Sequence, residues 1–275
     1  MNFTFGIVTN LDHEEYLLNL INSILNQNIK NFEIIIVGPV GHFDLKNKIA
    51  ITDSFTMIDF DESEKDGWIT KKKNLIVNNA KYENIVFLHD YIVLDKTWYA
   101  GYLKYGNSFD ICLNPILNKD HSRFRDWCLS PHNFKIIDKH LNKNSEFLIP
   151  YEEDQLTDYM YVSGAYWVSK KYVMMQYPLN ENLAWGDGED IEWSHRVRKT
   201  HKFEFNSNSS VFLQKQKDVV FNEITKENLI LLKNSESKFL IRYFDNIFAF
   251  VKRYNFYLSK QIKYQFKKII NISMH

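Results

Sequence analysis

The chain has 275 residues, 45% hydrophobic and 16% aromatic, enough to bury a substantial core, which excludes a disordered scaffold. Its 34 Lys and Arg balance 34 Asp and Glu, so the molecule as a whole lacks the polyelectrolyte character that draws proteins to nucleic acid. Cys112 and Cys128 have neither metal-ligand spacing nor a disulfide framework and read as reduced thiols of a cytosolic protein; the N-terminus lacks a secretory signal, and no run approaches the roughly 20 apolar residues that span a bilayer.

Phe3 to Thr9 reads as a buried strand, and Leu17, Leu20, Ile21, Ile24 and Leu25 recur at helical spacing across Glu14 to Gln27. A second apolar run, Phe32 to Val37, ends at Gly38-Pro39, which turns the chain. Phe55 to Phe60 predicts a third strand, Thr70 to Ala80 a helix, and Ile85 to Leu88 a fourth strand stopping at His89-Asp90-Tyr91. This alternation predicts an α/β sandwich with a largely parallel sheet. Ligands of such sheets sit beyond the carboxyl ends of the strands, so Thr9-Asn10, Gly38 and His89-Asp90 are expected to face one cleft.

From Pro115 to Tyr159 the pattern weakens into polar, Asn- and Lys-rich sequence, expected to be an insertion or mobile region that contacts an acceptor. Tyr161 to Val168 is strand-like but broken by Gly164, and Glu189 to about Lys199 predicts a helix with Ile191, Ser194 and Val197 on a shared face. Residues 1–235 are therefore read as one domain, with halves 1–114 and 115–235. Beyond it, residues 237–275 hold eight Lys or Arg against the single acid Asp245, interleaved with Phe and Tyr. Two readings stay open for this helical tail: a membrane-surface anchor on anionic lipid, or a helix packed on the domain with a solvated basic face.

Two places hold candidate chemistry. Asp90, at the end of an apolar strand, can hold a divalent cation such as Mn²⁺ or Mg²⁺, and His89 can contact phosphate or metal. Trp185-Gly-Asp-Gly-Glu-Asp190 sets three carboxylates within four residues, beside two glycines. That is a helix start with Asp187 as cap and Glu189 and Asp190 in the first turn, or an acid cluster whose crowding raises a pKa, or both. Gly186 and Gly188 allow close backbone approach to a ligand, and Trp185 offers a flat apolar face to a sugar ring. One of Lys71, Lys72 and Lys73, which open a helix, can neutralise phosphate.

Three segments together resemble the family-2 glycosyltransferases and their GT-A relatives: Phe5-Gly-Ile-Val-Thr-Asn10 with Glu33–Val37; Gly67-Trp-Ile-Thr-Lys-Lys-Lys-Asn74 with Ile85-Val-Phe-Leu-His-Asp-Tyr91; and Val162-Ser-Gly-Ala-Tyr-Trp-Val168 with Trp185–Asp190 and Arg196. The last block is also similar to that of β-1,4-galactosyltransferase-type enzymes. Order and spacing agree across residues 3 to 215. The resemblance implies a Rossmann-like GT-A fold that moves a sugar from a nucleotide-diphosphate donor, a UDP-sugar favoured, to a glycan or lipid-linked acceptor at the inner face of a membrane. It implies Asp190 as the base of an inverting transfer, Glu189 orienting the acceptor, and Gly164, Trp185 and Asp187 on the acceptor side. Thr9, Asn10, Lys73, Asn74, His89 and Asp90 would bind the nucleotide sugar, with Asp90 holding the cation. Tyr91 departs from the pattern, standing where the family has a metal-binding aspartate; so do Gly38-Pro39 and Gln214. A retaining GT-A enzyme and a non-catalytic binding subunit are the alternatives.

Overall fold

The structure is a computed structural model describing residues 1–45, 54–129, 147–153, 160–217 and 222–230. The basic tail at 237–275 lies outside the described residues, and the account below concerns the compact unit Met1–Ser130 with Glu146–Ile224.

Seven strands form the central sheet: β1 (Phe3–Val8), β2 (Phe32–Gly38), β3 (Phe55–Asp59), β4 (Asn84–His89), β6 (Ile111–Leu113), β11 (Tyr166–Lys170) and β12 (Phe203–Phe205), in the order β12-β6-β11-β4-β1-β2-β3. All pairings are parallel except those of β11, which runs against β4 and β6. All six residues of β1 are buried, as expected of a strand covered on both faces.

The two faces follow from strand alternation. Phe3, Phe5 and Ile7 share a core with Leu17, Leu20, Ile21 and Ile24 of α1 (Glu14–Leu25), and Trp98 and Tyr102 of α3 (Trp98–Tyr105) join it. On the other face Gly6 receives Ile76 of α2 (Ile69–Asn79), and Phe87, its register partner on β4, stacks on Trp167 of β11 at 4.6 Å. Trp193 of α5 (Glu189–Val197) then packs against Trp167 at 5.8 Å. A short α4 (Lys171–Gln176) follows β11. The result is the expected α/β sandwich, and it ends β1 beside His89 and Val37 in register.

Two expectations are corrected. Tyr161 to Val168 is not one interrupted strand: β10 (Met160–Tyr161) pairs with β8 (Cys128–Leu129) in a small sheet, whereas β11 belongs to the central one. The chain changes sheets at Val162–Ala165, where side chains satisfy the Gly164 peptide groups instead of a ladder: Asp190 accepts its N–H and Lys73 donates to its C=O. The described part of Pro115 to Tyr159 is ordered, carrying β7 (Ile116–Leu117), β8 and β9 (Phe147–Leu148). Its anchor is the buried Asp126, which accepts from the Arg123 guanidinium, the Trp127 and Ile116 N–H groups and the Tyr151 hydroxyl. β9 pairs with β8 and with β14 (Asn222–Glu223), while β7 pairs with β13 (Val211–Leu213), which also pairs with β5 (Ile92–Leu94). Cys112 and Cys128 are free and buried, and burial pushes the Cys112 thiol up to about 12.

Candidate active site

A cavity of about 280 Å³ opens where β4, the 163–165 crossing and the start of α5 meet. His89 and Tyr91 line it while Asp90, between them, does not, as alternation along an extended chain requires. Gly186, Gly188, Glu189 and Asp190 also line it, as does Trp185, which is 68% exposed. Arg125 and Phe124 enter from the ordered arm, and Lys217 from beyond β13.

The acidic wall is built by α5. Its N-cap is Gly188, at φ 75° and ψ 37°, a left-handed conformation that glycine adopts at little cost. Asp187, expected to cap the helix, instead accepts the Ala184 N–H at 2.9 Å in the preceding turn and is absent from the cavity wall. Within α5 the buried positions Asp190, Trp193, Ser194 and Val197 follow the helical repeat, so Trp193 rather than Ile191 forms the inward stripe. Packing Trp193 against the sheet carries Glu189 and Asp190 inward with it.

Asp190 is fixed by two backbone donors, Gly164 N–H at 3.0 Å and Ile191 N–H at 2.9 Å, and the Arg125 guanidinium stands 3.6 Å away. Burial, and then the Asp190 charge, raise the Glu189 carboxyl to about 7, against the pull of Lys73. Lys73 lies beneath the pair. Its ammonium donates to Gly164 O at 2.7 Å and sits 4.4 Å from the Trp167 ring centroid, where burial pulls it down to about 8 while Glu189 and Asp190 oppose the shift. Lys73 thus lies within the electrostatic reach of the carboxylates and does not itself line the cavity.

Gly164 stands where a side chain would crowd the two acids. A Cβ there would lie 3.0 Å from Glu189 Oε1 and 3.2 Å from Asp190 Oδ2. Gly164→Ala is expected to lower kcat of a reaction that uses the two carboxylates by about one to two orders of magnitude, because both acids must shift, with ligand affinity within about threefold. Steady-state kinetics with a binding titration checks this; unaltered kcat would show that the carboxylate positions do not matter.

His89 is held neutral: burial, then the charges of Lys73, Lys217 and Lys72, push its pKa well below the ordinary value, against a hydrogen bond to the Gly164 backbone. Its Nε2 is buried without a partner and, in a neutral ring bonded through the other nitrogen, is an acceptor available to a ligand.

The remaining expected residues gather elsewhere. Thr9 Oγ1 donates to Asp90 Oδ2 at 2.5 Å and accepts the Leu11 N–H, while the exposed Asn10 bonds to Asp12. Burial raises the Asp90 carboxyl, against hydrogen bonds from Thr9 and the Tyr91 backbone. Gln214 ties Asp90 O to Tyr16 O, joining this loop to α1. Asn74 is spent on Leu179 and Glu181, and Arg196 on Glu192 and Pro178, so neither is placed to touch a ligand in the cavity.

The cation expectation rested on Asp90, a single carboxylate. Asp90 is turned to Thr9, off the cavity wall, and among the described residues no group of three or more His, Cys, Asp or Glu is placed to hold a metal ion. Tyr91 and Lys217 occupy the wall instead, with the ammonium 3.7 Å from the ring centroid. Burial and then Arg125 and Lys215 lower the Lys217 pKa, against Asp90. Arg125 and Lys217 escaped the sequence reading because each lies in a segment without periodicity, and Ser163 entered it only as part of the Val162–Val168 segment. The Arg-Asp pair set among Phe124 and Trp127 was the one available signal.

No protein-family profile matches the chain, and no curated protein matches it in sequence. In structure it is similar to GalNAc-T7, solved with UDP, GalNAc and Mn²⁺, at a TM-score of 0.56 and 11% identity over 79% of this chain and 44% of that one. It is also similar to Staphylococcus aureus TarS 1–349 in complex with UDP-GlcNAc, at a TM-score of 0.52 and 15% identity over 80% of this chain and 60% of that one. The chain therefore spans less than two thirds of either. Both are GT-A glycosyltransferases, and the chain has the GT-A fold.

Proposed function

We propose that the chain is an inverting glycosyltransferase that moves a sugar from a nucleoside-diphosphate sugar, UDP-linked as in the complexes of its structural neighbours, to a hydroxyl of a glycan or lipid-linked acceptor. The observation that carries this reading is the Glu189–Asp190 carboxylate pair lining a cavity that Arg125 and Lys217 also line. The acids suit removal of a proton, the cations the charge of a departing diphosphate.

In the proposed step the acceptor oxygen attacks the anomeric carbon as its proton passes to Asp190. The bond from that carbon to the diphosphate oxygen breaks, and the bond's electron pair leaves with the nucleoside diphosphate. Asp190 has the role of base because its two backbone donors fix its orientation, the preorganisation a positioned base needs. Glu189 receives and orients the acceptor hydroxyl, and Trp185 offers its ring to the acceptor sugar. Surface polysaccharide or glycolipid synthesis at a membrane face, with residues 237–275 as the anchor, is the proposed setting. Among the described residues no helix is long and apolar enough to cross a membrane.

The test is incubation with a panel of UDP-sugars, with release of UDP measured and the product anomer read by NMR. Turnover with inversion is expected. Turnover with retained configuration would remove the single-displacement step, and nucleotide binding without turnover of any donor would leave a binding protein.

A further inference from the structure

The cavity lined by Glu189 and Asp190 also carries positive charge from two parts of the chain. Lys217 enters after β13, where its backbone N–H is fixed by Asn118 Oδ1 at 2.9 Å. Its ammonium lies 3.7 Å from the Tyr91 ring centroid and 5.3 Å from that of Phe124, and no carboxylate among the described residues forms an ion pair with it. Arg125 is braced by the Tyr161 hydroxyl, to which it donates at 3.1 Å. Both reach the cavity. An ammonium held against two aromatic faces, with no ion-pair partner among the described residues, has given up water for weak compensation, and an anionic ligand would restore what it lost.

Tyr91 supplies a ring where the GT-A pattern has a carboxylate, and Asp90 is bonded to Thr9 and does not line the cavity, so the charges that line it and can meet an anion are Arg125 and Lys217. We propose that Lys217, assisted by Arg125, is the group that compensates the diphosphate of the donor, so that donor binding and departure of the leaving group proceed on protein cations alone. This rests on the glycosyltransferase reading above and specifies how its leaving group is stabilised. Lys217 acts as a compact point charge on the phosphate oxygens, and Arg125 as a planar donor set between those oxygens and Asp190.

The experiment measures binding of UDP, uridine and inorganic pyrophosphate to the full chain by calorimetry, in EDTA and in Mn²⁺, for the unaltered protein, Lys217→Met and Lys217→Arg. Expected are UDP affinities within about threefold in the two buffers and a loss of at least about tenfold for UDP and pyrophosphate in Lys217→Met. Uridine should be unaffected, and Lys217→Arg should recover most of the loss. UDP or pyrophosphate binding that tightens tenfold or more with Mn²⁺ overturns the inference while leaving glycosyl transfer standing. So does a Lys217→Met variant that binds UDP as the unaltered protein does, or loses uridine to the same degree. Lys217-dependent pyrophosphate binding in EDTA, combined with no turnover of any UDP-sugar, supports the anion site and removes the transferase reading.

Discussion

Asp190→Asn is expected to lower kcat by about a thousandfold while the donor dissociation constant moves by less than threefold. A positioned base contributes roughly 10² to 10⁴ to rate, and the amide cannot take a proton at any working pH. The substitution also has a structural cost that can be anticipated. Asp190 accepts one backbone N–H on each oxygen, so an asparagine must set its NH₂ against either the Gly164 or the Ile191 donor. That leaves one buried donor unpaired, at a cost of about 1–3 kcal/mol, so a melting curve accompanies the kinetics. Glu189→Gln separates the two acids. If the ionised Glu189 is the form that orients the acceptor, kcat/KM rises with pH through about 7 and the glutamine variant loses that limb. Full transfer by a folded Asp190→Asn protein would take the base role from Asp190, and a thousandfold loss in Glu189→Gln alone would move it one residue back.

The sheet was legible in sequence because its strands are buried on both faces. Continuous apolar runs such as Phe32 to Val37 carry that signal without help from neighbours, and boundaries moved by only one or two residues at β1, β2 and α2. The Trp185–Asp190 block was legible as a site for a different reason: crowded acids beside glycines are costly unless something uses them. What was not legible is direction. Nothing in His89-Asp90-Tyr91 states which residue points inward, and the register of β4 against β1 settles it for His89 and Tyr91, against Asp90. Lys71, Lys72 and Lys73 read alike in sequence, yet Lys71 rests over the Trp68 ring, whereas Lys72 and Lys73 are buried, one paired with Glu62 and the other donating to Gly164 O. Lys217 and Arg125 reach the site from distant segments through tertiary packing, which no local pattern encodes.

Lys73→Met is expected to couple activity and stability in a way that depends on pH. Its ammonium is the cation that holds the Glu189 carboxyl down to about 7, so removing it raises that value further and moves the acidic limb of kcat/KM to higher pH, with a loss of about a hundredfold at neutrality. Stability follows from the same charges. In the folded protein Glu189 titrates above its unfolded value of 4.5, so its contribution is full below that value and is lost as pH rises through about 7. Lys73 titrates below its unfolded value of 10.5, so burying its ammonium costs stability below about 8, and that cost is relieved as pH rises towards 10.5. At pH 5.5 Glu189 is neutral in either protein, and methionine removes a buried charge while keeping the apolar stem against Trp167, so the variant should be nearly as stable as the parent. Above pH 7.5 the parent carries an ionised Glu189 opposite Lys73, whereas the variant must bury that charge unpaired or keep the proton, a deficit of about 2 kcal/mol. Urea titrations at the two pH values check the sign. A deficit independent of pH would show that Lys73 serves packing alone, through its hydrogen bond to Gly164 and its place over the Trp167 ring, and that the carboxylates hold their charge without it.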